Sequence, residues 1–102
     1  MIHVLATIHA KLGMRDKVLA IFHENISYVR AEKGCIEYGA VIDAEDAPDF
    51  QRRLGSDTML VIERWESMTA LNQHANSPHV TRYRSAIKPF VASGTVQVLL
   101  ST

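Results

Sequence analysis

The residues best suited to chemistry lie in one short stretch of the chain, M-L-V-I-E-R-W-E-S-M-T-A-L-N-Q-H-A-N-S-P-H, which begins at Met59. If its first half is a strand, period-2 alternation places Glu63 and Trp65 on the same face. A carboxylate on a covered face is costly unless another group compensates it. His74 and His79 are the nearest candidates in sequence, so the stretch predicts a site for acid–base chemistry.

The two histidines have different expected settings. Ser77 and Pro78 suit the N-cap and first position of a helix, which places His79 in the first turn. Backbone N–H groups and the helix dipole disfavour a positive charge there, so a neutral His79 is a usable base near neutral pH. His79 could equally have a structural role, with its ring hydrogen-bonded to solvent or to a neighbouring turn. His74, near the end of the preceding short helix, is expected to pair with Glu63 or Glu66 and to orient the site.

Other side chains have both a functional and a structural interpretation. Glu63 is the base, the partner of a histidine, or an edge carboxylate that reaches solvent. Trp65 is a core aromatic, or a pocket wall that stacks on a planar substrate or donates its indole N–H. Tyr38 and Tyr83 could line a cavity with rings and hydroxyls, and Met59 suits an adaptable apolar pocket, but ordinary core packing accounts equally for all three.

The same residues are also candidates for a metal site. Two histidines and a carboxylate, here His74, His79 and Glu63, are the ligand types that iron accepts. The i, i+5 spacing of the histidines, across a helix that starts with proline, lacks the i, i+4 geometry of helix-borne ligand pairs. We therefore expect no metal.

Composition limits the classes of protein to which the chain can belong. The 102 residues suffice for one domain with a single core. Lysine plus arginine equals aspartate plus glutamate, eleven each, so no overall field attracts nucleic acid or an anionic membrane. A single cysteine, Cys35, excludes an intrachain disulfide, and no apolar run reaches membrane-spanning length. The first ten residues lack the pattern of a signal peptide, so none is expected. A cytoplasmic location is expected.

Hydrophobic periodicity predicts the order β-α-β-β-α-β, with a short helix between the third strand and the last long helix. The predicted strands are Ile2–Ala10, Cys35–Asp43, Thr58–Glu66 and Thr95–Leu100. The predicted helices run from about Arg15 to Lys33, from Met68 to Ala75, and from Pro78 to a point before Gly94. Residues 44–57 form a long connection, in which Phe50 and Leu54 are apolar enough to be packed, a partner subunit being one possibility.

This order is that of the ferredoxin-like α+β fold, a four-stranded antiparallel sheet with helices on one face, and the whole of residues 1–102 is expected to form one such domain. The strands carry apolar residues on both faces, and the helices can cover only one. A second copy of the chain is the simplest cover for the other face, so a homodimer is expected.

The chain resembles the antibiotic biosynthesis monooxygenase superfamily of dimeric α+β barrel proteins, which includes quinol monooxygenases. The resemblance is carried by G-C-x-x-Y (Gly34, Cys35, Tyr38), by E-x-W-x-S (Glu63, Trp65, Ser67), by A-L (Ala70, Leu71), and by His74 followed by S-P-H (Ser77, Pro78, His79). It implies oxidation of a small aromatic quinol or phenol by dioxygen without metal, haem or flavin, in a pocket between the sheet and the helices.

The site residues that follow from the resemblance and the pattern together are His79, His74 and Glu63 as catalytic groups, and Trp65, Tyr38, Tyr83 and Met59 as substrate-binding groups. Polyketide-oxidising members carry an asparagine where this chain has Val61, and haem-degrading relatives need an asparagine on the first strand, which has none. A simple quinol or phenol is therefore the expected substrate. The alternatives are a non-catalytic dimer that binds a hydrophobic metabolite, and an isomerase of a small polar compound that uses Arg82 or Arg84.

Overall fold

The computed structural model describes all of residues 1–102 and has the predicted order of elements. One antiparallel sheet has the strand order β2-β3-β1-β4 and carries the helices on one face, which confirms the ferredoxin-like α+β fold. The strands are β1 (Ile2–Ala10), β2 (Cys35–Val41), β3 (Thr58–Trp65) and β4 (Val91–Leu100), and the helices are α1 (Arg15–Arg30), α2 (Met68–Ala75) and α3 (Pro78–Ile87). No helix combines the length and apolar character that crossing a membrane requires.

The two central strands supply the face of the sheet on which the helices pack. On β3, the side chains of Met59, Val61, Glu63 and Trp65 are buried, and the intervening residues are only half-buried. Apolar side chains of α1 pack above them. Among these, Phe22 is fully buried and stacks on Tyr38 at a ring-centroid distance of 5.1 Å. The predicted alternation is therefore present and places the carboxylate of Glu63 inside the layer between sheet and helices.

Several element ends differ from the prediction. Helix α1 ends at Arg30 rather than Lys33, because the chain turns into Gly34, whose φ of +86° is a conformation that only glycine adopts without strain. Strand β4 starts at Val91 and includes Gly94, which pairs with Ile8, because Pro89 lacks the N–H needed to continue a helix. Strand β2 also ends two residues early, at Val41.

The two serines predicted as helix caps behave differently. Ser67 caps α2 as predicted, since its hydroxyl accepts a hydrogen bond of 3.1 Å from the Ala70 N–H. Ser77 occupies the N-cap position of α3, but its hydroxyl donates to the carbonyl oxygen of His74 at 2.8 Å. The second serine therefore ties α3 to the end of α2 and leaves the first turn of α3 without a side-chain cap.

The connection between β2 and β3 is anchored at one end by Asp43. Its carboxylate accepts hydrogen bonds from the backbone N–H groups of Leu54 and Gly55, which hold its pKa below the ordinary value. Leu54 is partly buried, as expected, but Phe50 is 89% exposed and has no cover within this chain.

The face of the sheet opposite the helices is apolar and uncovered. Its half-buried residues Leu5, Leu60 and Ile62 lie beside Val41 and Leu99, both more than 40% exposed. Soluble proteins rarely leave a contiguous apolar surface of this kind open. The homodimer stays a prediction, and this surface is the feature that supports it.

Candidate active site

A cavity of about 400 Å³ lies between the helix-facing side of the sheet and the helices α2 and α3. Its wall is mostly aliphatic, with Val4, Val61, Leu71, Val80 and Ile87 among the lining residues. On β4 the cavity is lined by Val96 and Val98, which are 68% and 48% exposed, so this side is open in the single chain. The polar residues that line it are Thr7, Tyr38, Glu63, Asn72, His74, Tyr83, Arg84 and Thr95.

Glu63 is the buried carboxylate of this cavity. It is only 7% exposed, and its Oε1 accepts a hydrogen bond of 2.9 Å from the indole N–H of Trp65. Burial raises the pKa of Glu63 above its ordinary value, while the Trp65 N–H and the nearby His74 act in the opposite direction. Because the net direction is upward, the Glu63 carboxylate is a stronger base than an exposed one and better suited to accept a proton near neutral pH.

His74 connects the cavity to a second carboxylate outside it. The side chain comes from α2, is 6% exposed and packs against Trp65 with ring centroids 4.6 Å apart. Its Nε2 lies 3.8 Å from Oε1 of Glu63, and its Nδ1 lies 2.7 Å from Oε2 of Glu32. The imidazole therefore lies between two glutamates, one on the cavity wall and one behind it. Glu66, the other partner considered for His74, is exposed.

Sequence reasoning did not identify Glu32. The residue was placed inside the predicted first helix, whereas it lies in the turn that follows α1. One signal could have indicated it: a carboxylate near a helix C-terminus is disfavoured by the dipole and so requires a positively charged or hydrogen-bonding partner. No periodicity connects it to His74, which is 42 residues away.

His79 belongs to the same cluster but not to the cavity lining. Its Nε2 lies 3.3 Å from Oε2 of Glu32 and 3.3 Å from Oγ of Ser77, and its ring stacks on Tyr28 at a centroid distance of 6.0 Å. The predicted position in the first turn of α3 is observed. In this arrangement His79 contacts the carboxylate of Glu32, which lies outside the cavity. His74 and Glu63 line the cavity and are the groups that a ligand there can contact directly.

The four residues predicted to bind substrate separate into two pairs. Tyr38 and Tyr83 line the cavity. Trp65 and Met59 are fully buried and do not line it, so the expectation that Trp65 forms a pocket wall differs from the observed packing. The indole instead lies behind the wall, where its N–H holds Glu63. Its ring is covered by the imidazole of His74, with the ring centroids 4.6 Å apart.

The two tyrosine hydroxyls remain protonated over the neutral range. Burial raises the pKa of Tyr83 to about 12 and raises that of Tyr38 still further, with the charge of Glu63 as the second cause in both. The hydroxyl of Tyr83 is buried and has no hydrogen-bond partner in the chain. Buried polar groups normally have partners, so this hydroxyl is a donor available to a ligand.

A divalent transition metal could be held by Glu32, His74 and His79, whose ligand atoms all lie within 4.8 Å of one another. The sequence had suggested Glu63 as the carboxylate beside the two histidines, whereas in the structure that carboxylate is Glu32. The distance of 2.7 Å between His74 and Glu32 suits a proton shared in a charge-assisted hydrogen bond. Within the cluster only the His74–Glu32 contact is a hydrogen bond, while Glu63 lies 3.8 Å from His74 and His79 lies 3.3 Å from Glu32. We therefore interpret the cluster as a hydrogen-bonded His74–Glu32 pair with Glu63 and His79 beside it.

Comparisons with known proteins agree with this fold. The family model described as antibiotic biosynthesis monooxygenase matches residues 1–86. A protein of Escherichia coli (strain K12) named "Probable quinol monooxygenase YgiN" is 32% identical over 101 residues, which is 97% of this chain and 96% of the relative.

Solved structures show the same architecture. The structure of Rv0793 from Mycobacterium tuberculosis matches with a TM-score of 0.81 at 25% identity, covering 99% of this chain and 94% of that one. A conserved protein from Methanosarcina mazei Go1 reaches a TM-score of 0.84 at 19% identity, over 99% of this chain and 92% of the other, and supports the fold alone. The resemblance noted in the sequence is thus confirmed, and the chain belongs to the antibiotic biosynthesis monooxygenase family.

Proposed function

We propose that this protein is a cofactor-independent monooxygenase that oxidises a small aromatic quinol or phenol with dioxygen. The observation that carries the proposal is the pairing of Glu63 and His74 at the wall of an otherwise apolar cavity. The volume of about 400 Å³ lies in the range of small-molecule sites. The relative named as a quinol monooxygenase, at 32% identity over nearly the whole chain, supports the same substrate class.

The chemistry requires only groups that the cavity contains. Removal of a hydroxyl proton converts a quinol into an electron-rich anion that can itself transfer an electron to dioxygen. One oxygen atom then enters the ring and the other leaves as water. The four electrons that dioxygen accepts come from the substrate, which ends as a hydroxylated quinone, so no external reductant is needed.

The side chains that line the cavity have different proposed roles. Glu63, whose pKa is raised by burial, and Nε2 of His74 are the proton acceptors. The phenols of Tyr38 and Tyr83 are donors for the oxyanion that forms, and they act in a cavity from which aliphatic side chains exclude water. Arg84, whose positive charge lowers the pKa of Glu63, adds electrostatic stabilisation of the anion.

A homodimer is part of the proposal. The apolar face of Leu5, Leu60 and Ile62 and the open side of the cavity at Val96 and Val98 both lack a cover within one chain. A second copy that packs on the sheet would bury the first and restrict water at the second. Sedimentation equilibrium at micromolar concentration tests this, and a monomer at that concentration would contradict it.

The experiment that tests the reaction measures oxygen uptake with a panel of mono- and bicyclic quinols and phenols, using protein treated with a chelator. The rate without protein gives the autoxidation baseline. Glu63→Gln should lose most of the protein-dependent uptake, because the amide cannot accept the proton, while the control Glu66→Gln alters an exposed carboxylate and should match the parent. Equal rates for the parent and Glu63→Gln would refute the assignment of the base.

A binding protein is the second candidate, and the open side of the cavity favours it. This function predicts saturable binding of a quinone or phenol, measured by calorimetry, without oxygen uptake or product. Uptake that depends on protein and disappears in Glu63→Gln excludes it.

A further inference from the structure

Glu32 has no role in the reaction as proposed so far, yet it is one of the less exposed carboxylates of the chain. Its side chain is 16% exposed, and the basic side chains it contacts are the imidazoles of His74 and His79. It does not line the cavity and cannot touch a ligand there. Any effect of Glu32 on a bound substrate must therefore pass through His74.

The short contact between Glu32 and His74 determines where the proton of the imidazole lies. An ionised carboxylate can only accept hydrogen bonds, so at 2.7 Å the Nδ1 of His74 must carry a hydrogen. In a neutral imidazole this leaves Nε2 without a hydrogen. Nε2 is the nitrogen that lies 3.8 Å from Glu63.

The position of Glu32 is itself fixed from two sides. The turn that contains it is held against α2 at Gly34, where an added Cβ would lie 2.5 Å from the Cβ of Ala70. On the other side, Nε2 of His79 lies between Oε2 of Glu32 and Oγ of Ser77, at 3.3 Å from each. His79 in turn is stacked on Tyr28. The carboxylate therefore has little freedom to leave His74.

We infer that Glu32 is a positioning residue, which holds His74 in the tautomer with hydrogen on Nδ1 so that the free electron pair of Nε2 faces the cavity, and that His79 keeps Glu32 in place. The consequence for the proposed oxidation, on which the catalytic part of this inference rests, is twofold. His74 presents an acceptor rather than a donor to the substrate proton. Once that proton arrives, the imidazolium lies between Glu32 and Glu63, and both carboxylates stabilise it.

The tautomer is measured directly, without any substrate, by the ¹⁵N chemical shifts of the imidazole nitrogens in labelled protein. Neutral His74 should show hydrogen on Nδ1 in the parent and in the control Glu24→Gln, which alters an exposed carboxylate on α1. In Glu32→Leu the acceptor is gone, so the form with hydrogen on Nε2, donating to Glu63, should become the major one. Retention of hydrogen on Nδ1 in Glu32→Leu would overturn the inference.

Kinetics with Glu32→Gln give a second readout that does not depend on the leucine variant being folded. The amide keeps the size and one acceptor oxygen but loses the charge, so kcat for oxygen uptake should fall by about tenfold or more with KM nearly unchanged. A kcat equal to that of Glu24→Gln, or a loss confined to KM, would contradict the positioning role. If the parent takes up no oxygen with any quinol, the proposed function fails, and the tautomer measurement alone decides whether Glu32 orients His74.

Discussion

The indole N–H of Trp65 donates a hydrogen bond of 2.9 Å to Oε1 of Glu63, two residues earlier on the same face of β3. A buried carboxylate with one donor from the sheet and an imidazole 3.8 Å away is only partly compensated for the loss of water. This explains why the pKa of Glu63 is raised despite Trp65, His74 and Arg84, which favour its charged form. The tryptophan thus acts on the cavity through Glu63.

Trp65→Phe should therefore cost more stability when Glu63 is charged. Hydrogen bonds to charged groups contribute about 1.5–3 kcal/mol, against about 0.5–1.5 kcal/mol for neutral pairs. The loss in free energy of unfolding, measured by urea denaturation at pH 8, should be larger in the parent background than in the Glu63→Gln background. The void left by the smaller ring is common to both, so an identical loss in the two backgrounds would show that the hydrogen bond contributes little.

The raised pKa of Glu63 should make the stability of the protein depend on pH. Its folded-state pKa is raised above the ordinary value of 4.5, so between the two values the folded chain holds a proton that the unfolded chain has released. The free energy of unfolding of the parent should then decrease, relative to that of Glu63→Gln, as pH rises from about 4.5 through the folded-state pKa, and level off above it. His74, Glu32 and Arg84, the ionisable neighbours of Glu63, are present in both proteins.

Urea denaturation of the two proteins at intervals between pH 4 and pH 8 measures this difference. A difference that does not change with pH, or that favours the parent as pH rises, would contradict the burial-driven shift of the Glu63 pKa.

Gly34→Ala should destabilise the fold by more than Gly13→Ala. Both glycines have positive φ, +86° and +74°, where a side chain costs about 1–3 kcal/mol. A Cβ at Gly13 meets nothing within 4 Å, whereas at Gly34 it would lie 2.5 Å from the Cβ of Ala70, which adds about 1–3 kcal/mol of overlap. Chemical denaturation of the two variants separates the cost of backbone strain, which both share, from the cost of overlap with Ala70. Equal losses of stability would mean that the turn and α2 move apart freely.

Tyr83→Phe should leave stability unchanged or increase it. The Tyr83 hydroxyl is buried without a partner, so its removal also removes an uncompensated desolvation cost. The same change should lower kcat/KM for a quinol about two- to tenfold, the contribution of one hydrogen bond to the oxyanion. Tyr28→Phe is the matched control, since that side chain is 59% exposed, and it should alter neither quantity. A clear loss of stability in Tyr83→Phe would show that its hydroxyl already has a partner in the free protein.

Local patterns were sufficient for the fold and for one side of the site. Alternation along β3 predicted that Glu63 and Trp65 share the buried face, and the Ser67 cap located the start of α2 and hence of the helix that carries His74. These features depend on periods of two and 3.6 residues and on capping chemistry, which act within one element. The ends of α1 and β4 were less accurate, because Gly34 and Pro89 decide them through backbone geometry and not through hydrophobic pattern.

The partners across elements were decided only by the tertiary structure. The sequence by itself determined which residue types were available: one tryptophan, a carboxylate on its face and two nearby imidazoles. The packing of the turn after α1 against α2 brought Glu32 to His74 and placed His79 behind that carboxylate. The packing of the helices on the sheet enclosed Trp65 and Met59 instead of leaving them on the cavity wall. Burial and contact between distant segments depend on how whole helices and strands fit together, and no local period records that fit.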